Sequence, residues 1–162
     1  MKEDMTEMTI KGIAMDQKSD LPILILQSGE NGAALPIWIG PFEASAIITE
    51  MEGVHPPRPL THDLFSLFLS KHNFTINRLE IYGRVEDRYF ARLEYRHGIR
   101  HYRMEVRPSD GVALALRLGA PIMANDELVD SRVADNFLLN NSDNLSSEIL
   151  FLKKDQLKTY LM

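Results

Sequence analysis

The sequence predicts an α+β fold: a mostly antiparallel, twisted mixed sheet with three to four helices packed against it. Two observations lead to this prediction. Isoleucine-rich or alternating stretches of strand length stand both before and after helical stretches. Short turn clusters, rather than long crossover segments, separate most of the neighbouring strands, and short turns join antiparallel partners.

The first half of the chain reads as strands followed by one helix. Three stretches are apolar and rich in isoleucine or leucine, as strands are: residues 8–15, 21–27 and 35–40. The segment "PFEASAIITEMEG" predicts a helix with Pro41 in its first turn, Phe42 on its core-facing side and Gly53 at its end. Residues 54–59, "VHPPRP", cannot be helical, because their three prolines remove backbone donors and fix φ.

The second half reads as a helix, three strands, a helix and a short strand. Thr61 is the predicted N-cap of a helix that runs to about His72. Its predicted core-facing residues are Leu64, Phe65, Phe68 and Leu69. The three strands are "TINRLEIYGRV", "YFARLEYR" and "RHYRMEVR", with turns near residues 86–88 and 97–98. Ser109 is the predicted cap of the last helix and Gly119 its end, and Asn125 is a predicted cap after the strand "PIMA".

The last two long strands show a strict alternation of apolar and charged residues. This period of two predicts one face in the core and one charged face in water. The residues predicted to share the core face are Ala91, Leu93 and Tyr95, with Tyr102, Met104 and Val106 as partners.

The chain is predicted to hold one domain and a tail. The domain spans residues 1–133, a polar linker rich in Asn and Ser spans 134–147, and an amphipathic helix spans 148–162. We expect a homodimer, because the sheet should offer an edge or apolar face that 162 residues cannot cover. The last helix would add Ile149, Leu152 and Leu157 as apolar contacts.

Composition excludes several classes of protein. The chain has no cysteine, which excludes disulfides, thiolate metal sites and cysteine nucleophiles and favours a cytoplasmic location. No apolar run approaches the roughly 20 residues of a membrane span. The net charge of −5 argues against storage on nucleic acid. Eight arginines against five acids between Arg78 and Arg107 would suit a transient contact with a polyanion, or form an ordinary solvated sheet face.

One short phrase occurs twice, as "PPRPLTHDLF" at 56–65 and as "EVRPSDGVAL" at 105–114. Each reads Arg-Pro, a hydroxyl residue and Asp at the start of a predicted helix. Helix capping explains the hydroxyl and the carboxylate but leaves the arginine unexplained. An arginine beside the free N–H groups of a helix start is a phosphate-binding arrangement. The predicted phosphate-binding residues are Arg58, Thr61, Arg107 and Ser109.

Carboxylates and a histidine near the same two phrases suggest acid–base or metal chemistry. We predict His62, Asp63, Asp110 and Glu43 as catalytic residues. Glu43, Asp63 and Asp110 form an oxygen-rich set that would suit Mg²⁺ or Mn²⁺, with His62 as acid/base or ligand. Glu43 is equally explained as a first-turn acid or as the salt-bridge partner of Arg58 or Arg107. The sequence has no P-loop, GxGxxG or GxSxG motif, so NTPase, dinucleotide-binding and serine-hydrolase functions have no support.

Three long segments, "LPIWIGPFEASAI", "PPRPLTHDL" and "RPSDGVALALRLGAPI", resemble the bifunctional nuclease domain family over about residues 8–132. The resemblance implies an α+β domain, commonly dimeric, with nuclease activity on RNA and DNA. Combined with the residues above, it predicts a metal-assisted phosphodiesterase of little sequence specificity that contacts nucleic acid transiently. The alternatives are a non-catalytic module that binds a phosphorylated ligand or a partner protein, and a purely structural role in which the arginines pair with Glu43 and Glu105.

Overall fold

The computed structural model describes residues 4–16, 18–30 and 32–129, and these residues form one sheet and three α-helices. The strands are β1 (Met5–Met15), β2 (Pro22–Ser28), β3 (Ala34–Trp38), β4 (Phe74–Val85), β5 (Arg88–His97), β6 (Arg100–Val106) and β7 (Ile122–Asn125). The helices are α1 (Pro41–Met51), α2 (Thr61–Lys71) and α3 (Pro108–Leu118), and a 3₁₀ turn follows at Asp126–Leu128.

The described strands lie in the order β3-β2-β1-β7-β4-β5-β6. All pairings are antiparallel except β4 with β7, which is parallel. The α+β prediction, with a mostly antiparallel mixed sheet, is therefore confirmed. None of the described helices combines the length and the apolar character that crossing a membrane requires.

Helix α3 lies at the centre of the helical layer, in contact with α1, α2, β4 and β5. Its apolar residues Val112 and Ala113 are fully buried, as are Leu79 and Leu93 of the sheet. Gly111 permits the close approach, because a Cβ at this position would collide with the side chain of Leu79. The larger core cluster lies between the sheet and the helices, and a second buried cluster joins β1, β2 and β3 through Ala14, Ile23, Ile25 and Ala34.

The predicted pairing of β5 with β6 is confirmed by their register, but Tyr102 and Met104, predicted to face the core, are exposed because β6 is an edge strand. Ala91 pairs with Val106, Leu93 with Met104 and Tyr95 with Tyr102. The opposite face of β4, β5 and β6 carries ion pairs. Arg92–Glu80, Arg78–Glu94 and Arg103–Glu94 join neighbouring strands, and Arg78–Glu80 lies within β4. Three of the eight arginines are therefore paired within the sheet, on Glu94 and on Glu80, whose side chain is only 3% exposed.

The predicted hydroxyl N-caps are wrong. The N-cap residues are Gly40, Leu60 and Arg107, and Thr61 is the first residue of α2. Ser109 is a buried helical residue. Proline at the first position of α3 has φ fixed near its helical value, so the helix starts before the serine.

An acid occupies the third position of each helix: Glu43, Asp63 and Asp110. A negative charge in the first turn stabilises a helix, and this explains why the helices form without a hydroxyl cap. In α2 the Asp63 carboxylate also accepts a hydrogen bond from the Leu60 N–H at 2.9 Å.

Other predicted boundaries agree with the structure. Gly119 ends α3 with φ of 65°, and Gly53, with φ of 61°, follows the end of α1. The Asn125 side chain accepts from the Glu127 N–H at 3.0 Å, so this cap is confirmed. The predicted linker at 134–147 and the predicted helix at 148–162 lie outside the described residues.

Candidate active site

The first turns of the three helices meet around one cavity of about 860 Å³. Its polar lining comes from the helix starts: Glu43 and Ser45 of α1, Thr61 and His62 of α2, and Arg107 and Asp110 of α3. Its apolar lining consists of Pro41, Phe42, Ala46, Leu60, Phe65, Val106 and Leu114. The two Arg-Pro segments therefore converge on an open cavity, which a purely structural role for them would not require.

Short connections fix where two of the helices start. Strand β6 passes into α3 through a single residue, Arg107, because Pro108 begins the helix immediately. Helix α1 similarly begins at Pro41, three residues after the end of β3. Because β3 and β6 are the two edge strands of the described sheet, the packing of α1 against α3 is what brings Glu43 to Arg107.

Arg107 connects the carboxylates of two helices. Its Nε donates to Asp110 Oδ2 at 2.7 Å, and its NH2 donates to Asp110 Oδ1 at 3.2 Å. Its NH1 donates to Glu43 Oε1 at 2.8 Å. The predicted Glu43–Arg107 salt bridge is confirmed. The Arg107 side chain is 67% exposed, so the guanidinium faces solvent while it holds both acids.

His62 contacts the same carboxylate from the other side. Its Nε2 lies 3.0 Å from Asp110 Oδ1. Burial opposes ionisation of Asp110, but hydrogen bonds from Arg107 and His62 outweigh it and keep its pKa below the ordinary value. An ionised Asp110 is an acceptor, so the hydrogen of the imidazole lies on Nε2, and Nδ1 of the neutral ring is a proton acceptor.

Asp63 lies outside this cluster. Its Oδ1 accepts from Arg117 Nε at 2.6 Å, and the Arg117 side chain is only 4% exposed. Arg117 also donates to the carbonyl oxygens of Ala113 and Ala46. Burial alone would raise the pKa of Asp63, but the hydrogen bonds from Arg117 and the Leu60 N–H outweigh it and keep the pKa below its ordinary value. Asp63 thus joins α2 to α3 and α1 as part of the scaffold.

The four predicted phosphate-binding residues are divided by the structure. Arg107 and Thr61 line the cavity, and both are exposed. Arg58 is exposed on the segment before α2 and is not part of the cavity lining. Ser109 is 6% exposed and buried within α3. A ligand in the cavity can therefore reach Arg107 and Thr61.

The predicted three-carboxylate cation set does not fit the described geometry. No group of three or more His, Asp or Glu side chains among residues 4–16, 18–30 and 32–129 could hold a metal ion. Asp63 is occupied by Arg117, and Arg107 neutralises both Glu43 and Asp110. A divalent cation would have to displace the Arg107 guanidinium before it could bind these two acids.

Gly40 contributes to the site because it has no side chain to block the Glu43 carboxylate. A Cβ at position 40 would collide with the carboxylate of Glu43, whose Cδ would lie 3.1 Å away. Glycine therefore lets Glu43 fold back against the start of α1 and reach Arg107. The sequence signal for this role is the Gly-Pro pair that opens the helix.

Some residues predicted to face the core are instead exposed. The side chains of Phe42 and Phe65, on the cavity lining, are 85% and 37% exposed, and Leu64 and Phe68 are also exposed. Of the predicted core residues of α2, Leu69 is buried. Helical spacing identified which residues share a face, but α2 turns a different face toward the sheet.

The match to a known protein family covers all of these cavity residues. The sequence profile of the bifunctional nuclease domain matches residues 24–136. An uncharacterized protein of Mycobacterium tuberculosis is 38% identical over 125 residues, which make up 77% of this chain and 74% of that protein.

Two plant proteins are more distant. Bifunctional nuclease 1 of Arabidopsis thaliana is 24% identical over 142 residues, 83% of this chain and 44% of that protein. Bifunctional nuclease 2 of the same plant is 26% identical over 140 residues, 83% of this chain and 42% of that protein. The chain thus spans less than half the length of either plant protein.

Proposed function

Because the chain belongs to the bifunctional nuclease domain family, we propose that it cleaves phosphodiester bonds of RNA or DNA in the cavity at the three helix starts. The observation that carries this proposal is one shared carboxylate: Asp110 holds His62 at 3.0 Å and Arg107 at 2.7 Å in an open cavity. A general base beside a guanidinium can deprotonate the attacking water and stabilise the charge on the phosphoryl oxygens.

Arg107 would bind the phosphate. Its bonds to Glu43 and Asp110 use three of the five N–H donors of a guanidinium. The remaining donors lie on an exposed, planar group that suits phosphate oxygens.

His62 would act as the general base. With its Nε2 fixed on Asp110, the ring can accept at Nδ1 the proton of a water that attacks phosphorus. The new P–O bond forms as the bond to the leaving oxygen on the opposite side of phosphorus breaks; the leaving oxygen takes a proton from solvent water, and the imidazolium later releases its proton to solvent. Asp110 stabilises the imidazolium during the reaction, and Arg107 stabilises the negative charge that develops on the phosphoryl oxygens.

This mechanism departs from the requirement for Mg²⁺ or Mn²⁺ that the sequence predicted, because no step above depends on a metal ion. The His62–Asp110 pair can supply acid–base catalysis by itself. We therefore expect cleavage to persist in excess EDTA. Complete loss of cleavage in EDTA would contradict the acid–base mechanism and would return Glu43 and Asp110 to the role of cation ligands.

The test is cleavage of an end-labelled single-stranded oligonucleotide by matched variants. His62→Gln and Arg107→Lys should each lower the rate by about 100-fold or more. The controls, His55→Gln and Arg88→Lys, change exposed residues of the same types outside the cavity lining and should cleave at the wild-type rate. Equal cleavage by all the variants would mean a contaminating nuclease and would refute the proposal.

A second candidate function is binding of a phosphorylated ligand without cleavage. This candidate is favoured because Arg107 already forms ion pairs with both Glu43 and Asp110. Saturable binding of a nucleotide, with no cleavage by carefully purified protein, would support this candidate. Such binding should still be weakened by Arg107→Lys.

We also propose a homodimer that forms through β6, an edge of the described sheet. This strand exposes Tyr102 and Met104 on the helical side of the sheet. Antiparallel pairing of two β6 strands centred on Met104 would set Arg103 opposite Glu105 of the second copy, so the charges would be complementary. Sedimentation should give a dimer for wild type and a monomer for Met104→Pro; a wild-type monomer at high micromolar concentration would refute this proposal.

A cytoplasmic location also stays a prediction. It is supported by the absence of cysteine from the chain and by the nucleic-acid substrate proposed above.

A further inference from the structure

The apolar side of the cavity has no role in the acid–base chemistry proposed above. Phe42 in the first turn of α1 is 85% exposed, although a phenylalanine gains most when it is buried. Phe65, on the next turn of α2 after His62, is 37% exposed. Leu60, Val106 and Leu114 complete this side of the cavity. A site for phosphate alone would require none of these side chains.

The size of the cavity agrees with an organic ligand larger than phosphate. Pockets of about 300–1,000 Å³ with mostly apolar walls and a few polar groups bind molecules of drug size. The volume of about 860 Å³ and this distribution of side chains fall within that description. A single nucleotide combines the two required parts, an anionic phosphate and a flat aromatic base.

In α1 and in α2 an aromatic residue lies within three positions of a polar residue of the cavity. Phe42 directly precedes Glu43, which holds Arg107. His62 and Phe65 are three residues apart on α2 and therefore share a helix face. A base linked to a phosphate on Arg107 would thus find an aromatic surface on the same cavity. Stacking of a base on an aromatic ring is nearly independent of sequence, because every base has a flat face.

We propose that the cavity takes one unpaired nucleotide, with its base against Phe42 and Phe65 and its phosphate on Arg107. The chain would then prefer single-stranded or looped-out nucleic acid to duplex. A base within a duplex is stacked and paired, and it would have to leave the stack at a cost of a few kcal/mol. This inference rests on the proposed function, since it assigns the substrate class of the same cavity.

An apolar side chain of a protein partner is the other occupant that such walls could take. The anionic ligand is favoured because Arg107 is 67% exposed and its bonds to Glu43 and Asp110 leave two of its five N–H donors unused. A protein segment that filled only the apolar side would leave these donors without an added partner.

The experiment compares the binding of two probes by calorimetry, so it requires no cleavage. Deoxyadenosine 5′-monophosphate carries base and phosphate, and 2-deoxyribose 5-phosphate lacks the base. Wild type should bind the nucleotide about tenfold or more tightly than the sugar phosphate. Phe42→Ala should remove most of this difference, and Phe42→Trp should keep it. Phe68→Ala changes an aromatic side chain of α2 that is 52% exposed and lies outside the cavity lining, and it should have no effect.

The possible results separate the inference from the proposed function. Equal affinity for the two probes, no detectable nucleotide binding, or an unchanged difference in Phe42→Ala would overturn the inference. Equal cleavage of single-stranded and duplex DNA at limiting concentration would also overturn it while leaving the nuclease function in place. Base-dependent binding with no cleavage of any nucleic acid would instead support the base site and refute the nuclease.

Discussion

Replacement of Asp63 by alanine should lower the free energy of unfolding, because the buried Arg117 then has no counter-charge. Arg117 Nε lies 2.6 Å from Asp63 Oδ1, and the Arg117 side chain is 4% exposed. The carboxylate also accepts from the Leu60 N–H, which belongs to the start of α2. The substitution therefore removes an ion pair between helices and one helix-capping bond at once.

The expected loss of stability follows from the burial of this pair. Removing one partner of a buried ion pair costs about 3–5 kcal/mol, whereas an exposed first-turn acid contributes only about 0.3–1 kcal/mol. The Asp63 side chain is 23% exposed, so a value near the lower end, about 3 kcal/mol, is expected. For a chain of this length, about 2–4 °C of melting temperature corresponds to each kcal/mol, which gives a decrease of about 6–12 °C.

Urea unfolding followed by far-UV circular dichroism measures this loss directly. Asp87→Ala is the matched control, because its fully exposed carboxylate pairs with Arg84 at the surface, and its midpoint should equal that of wild type. The double variant Asp63→Ala/Arg117→Met should recover part of the loss, since no buried charge then lacks a partner. A change below about 0.5 kcal/mol in Asp63→Ala would refute the assignment of Asp63 to the scaffold.

Three further predictions address the surroundings of the cavity. Gly40→Ala should lower cleavage by about tenfold or more in single-turnover assays while the fold is retained, because a Cβ there displaces the Glu43 carboxylate from Arg107; wild-type rates would contradict this role. The pKa values of Asp63 and Asp110 are lowered in the folded state. The stability that these carboxylates contribute is therefore complete above about pH 4–5 and is lost as the pH falls through their folded pKa values. Melting temperatures from pH 7 to pH 2 should show this loss, and a curve of the same shape in Asp63→Asn/Asp110→Asn would contradict it. Arg58→Ala should cleave at the wild-type rate, since Arg58 does not line the cavity, and a large loss would place the phosphate elsewhere.

The sheet could be predicted from the sequence because its pattern is local. The alternation of Leu93 and Tyr95 with charged neighbours required only the period of two, and the register with Met104 and Tyr102 followed from a short turn. The left-handed glycine at the end of α3 was readable for the same reason, since φ of 65° at Gly119 is a local property.

The candidate site could be predicted only in part, because its contacts join distant positions. The Asp63–Arg117 pair spans 54 positions, and nothing near Asp63 in the sequence indicates that a buried arginine will take its charge. Asp110 carries the same local motif but meets His62, 48 positions away, in an open cavity. Two similar phrases therefore have different roles, and the difference arises from the packing of α3 against its neighbours.

Aromatic residues at the cavity were missed for a related reason. Helical periodicity placed Phe42 and Phe65 among apolar neighbours and predicted burial. The helix starts meet around the cavity, where no element of the described chain covers Phe42, which stays 85% exposed. Periodicity defines an apolar face, and tertiary packing decides which part of that face is covered.

The central claim is that Asp110, and not Asp63, belongs to the catalytic cluster. The most direct measurement is the single-turnover cleavage rate of Asp110→Asn and Asp63→Asn, each divided by the folded fraction of the same sample. We expect Asp110→Asn to lose about 100-fold or more, because His62 and Arg107 lose their shared anion. Asp63→Asn should keep the wild-type rate per folded molecule. A wild-type rate for Asp110→Asn, or a comparable loss in folded Asp63→Asn, would contradict the account.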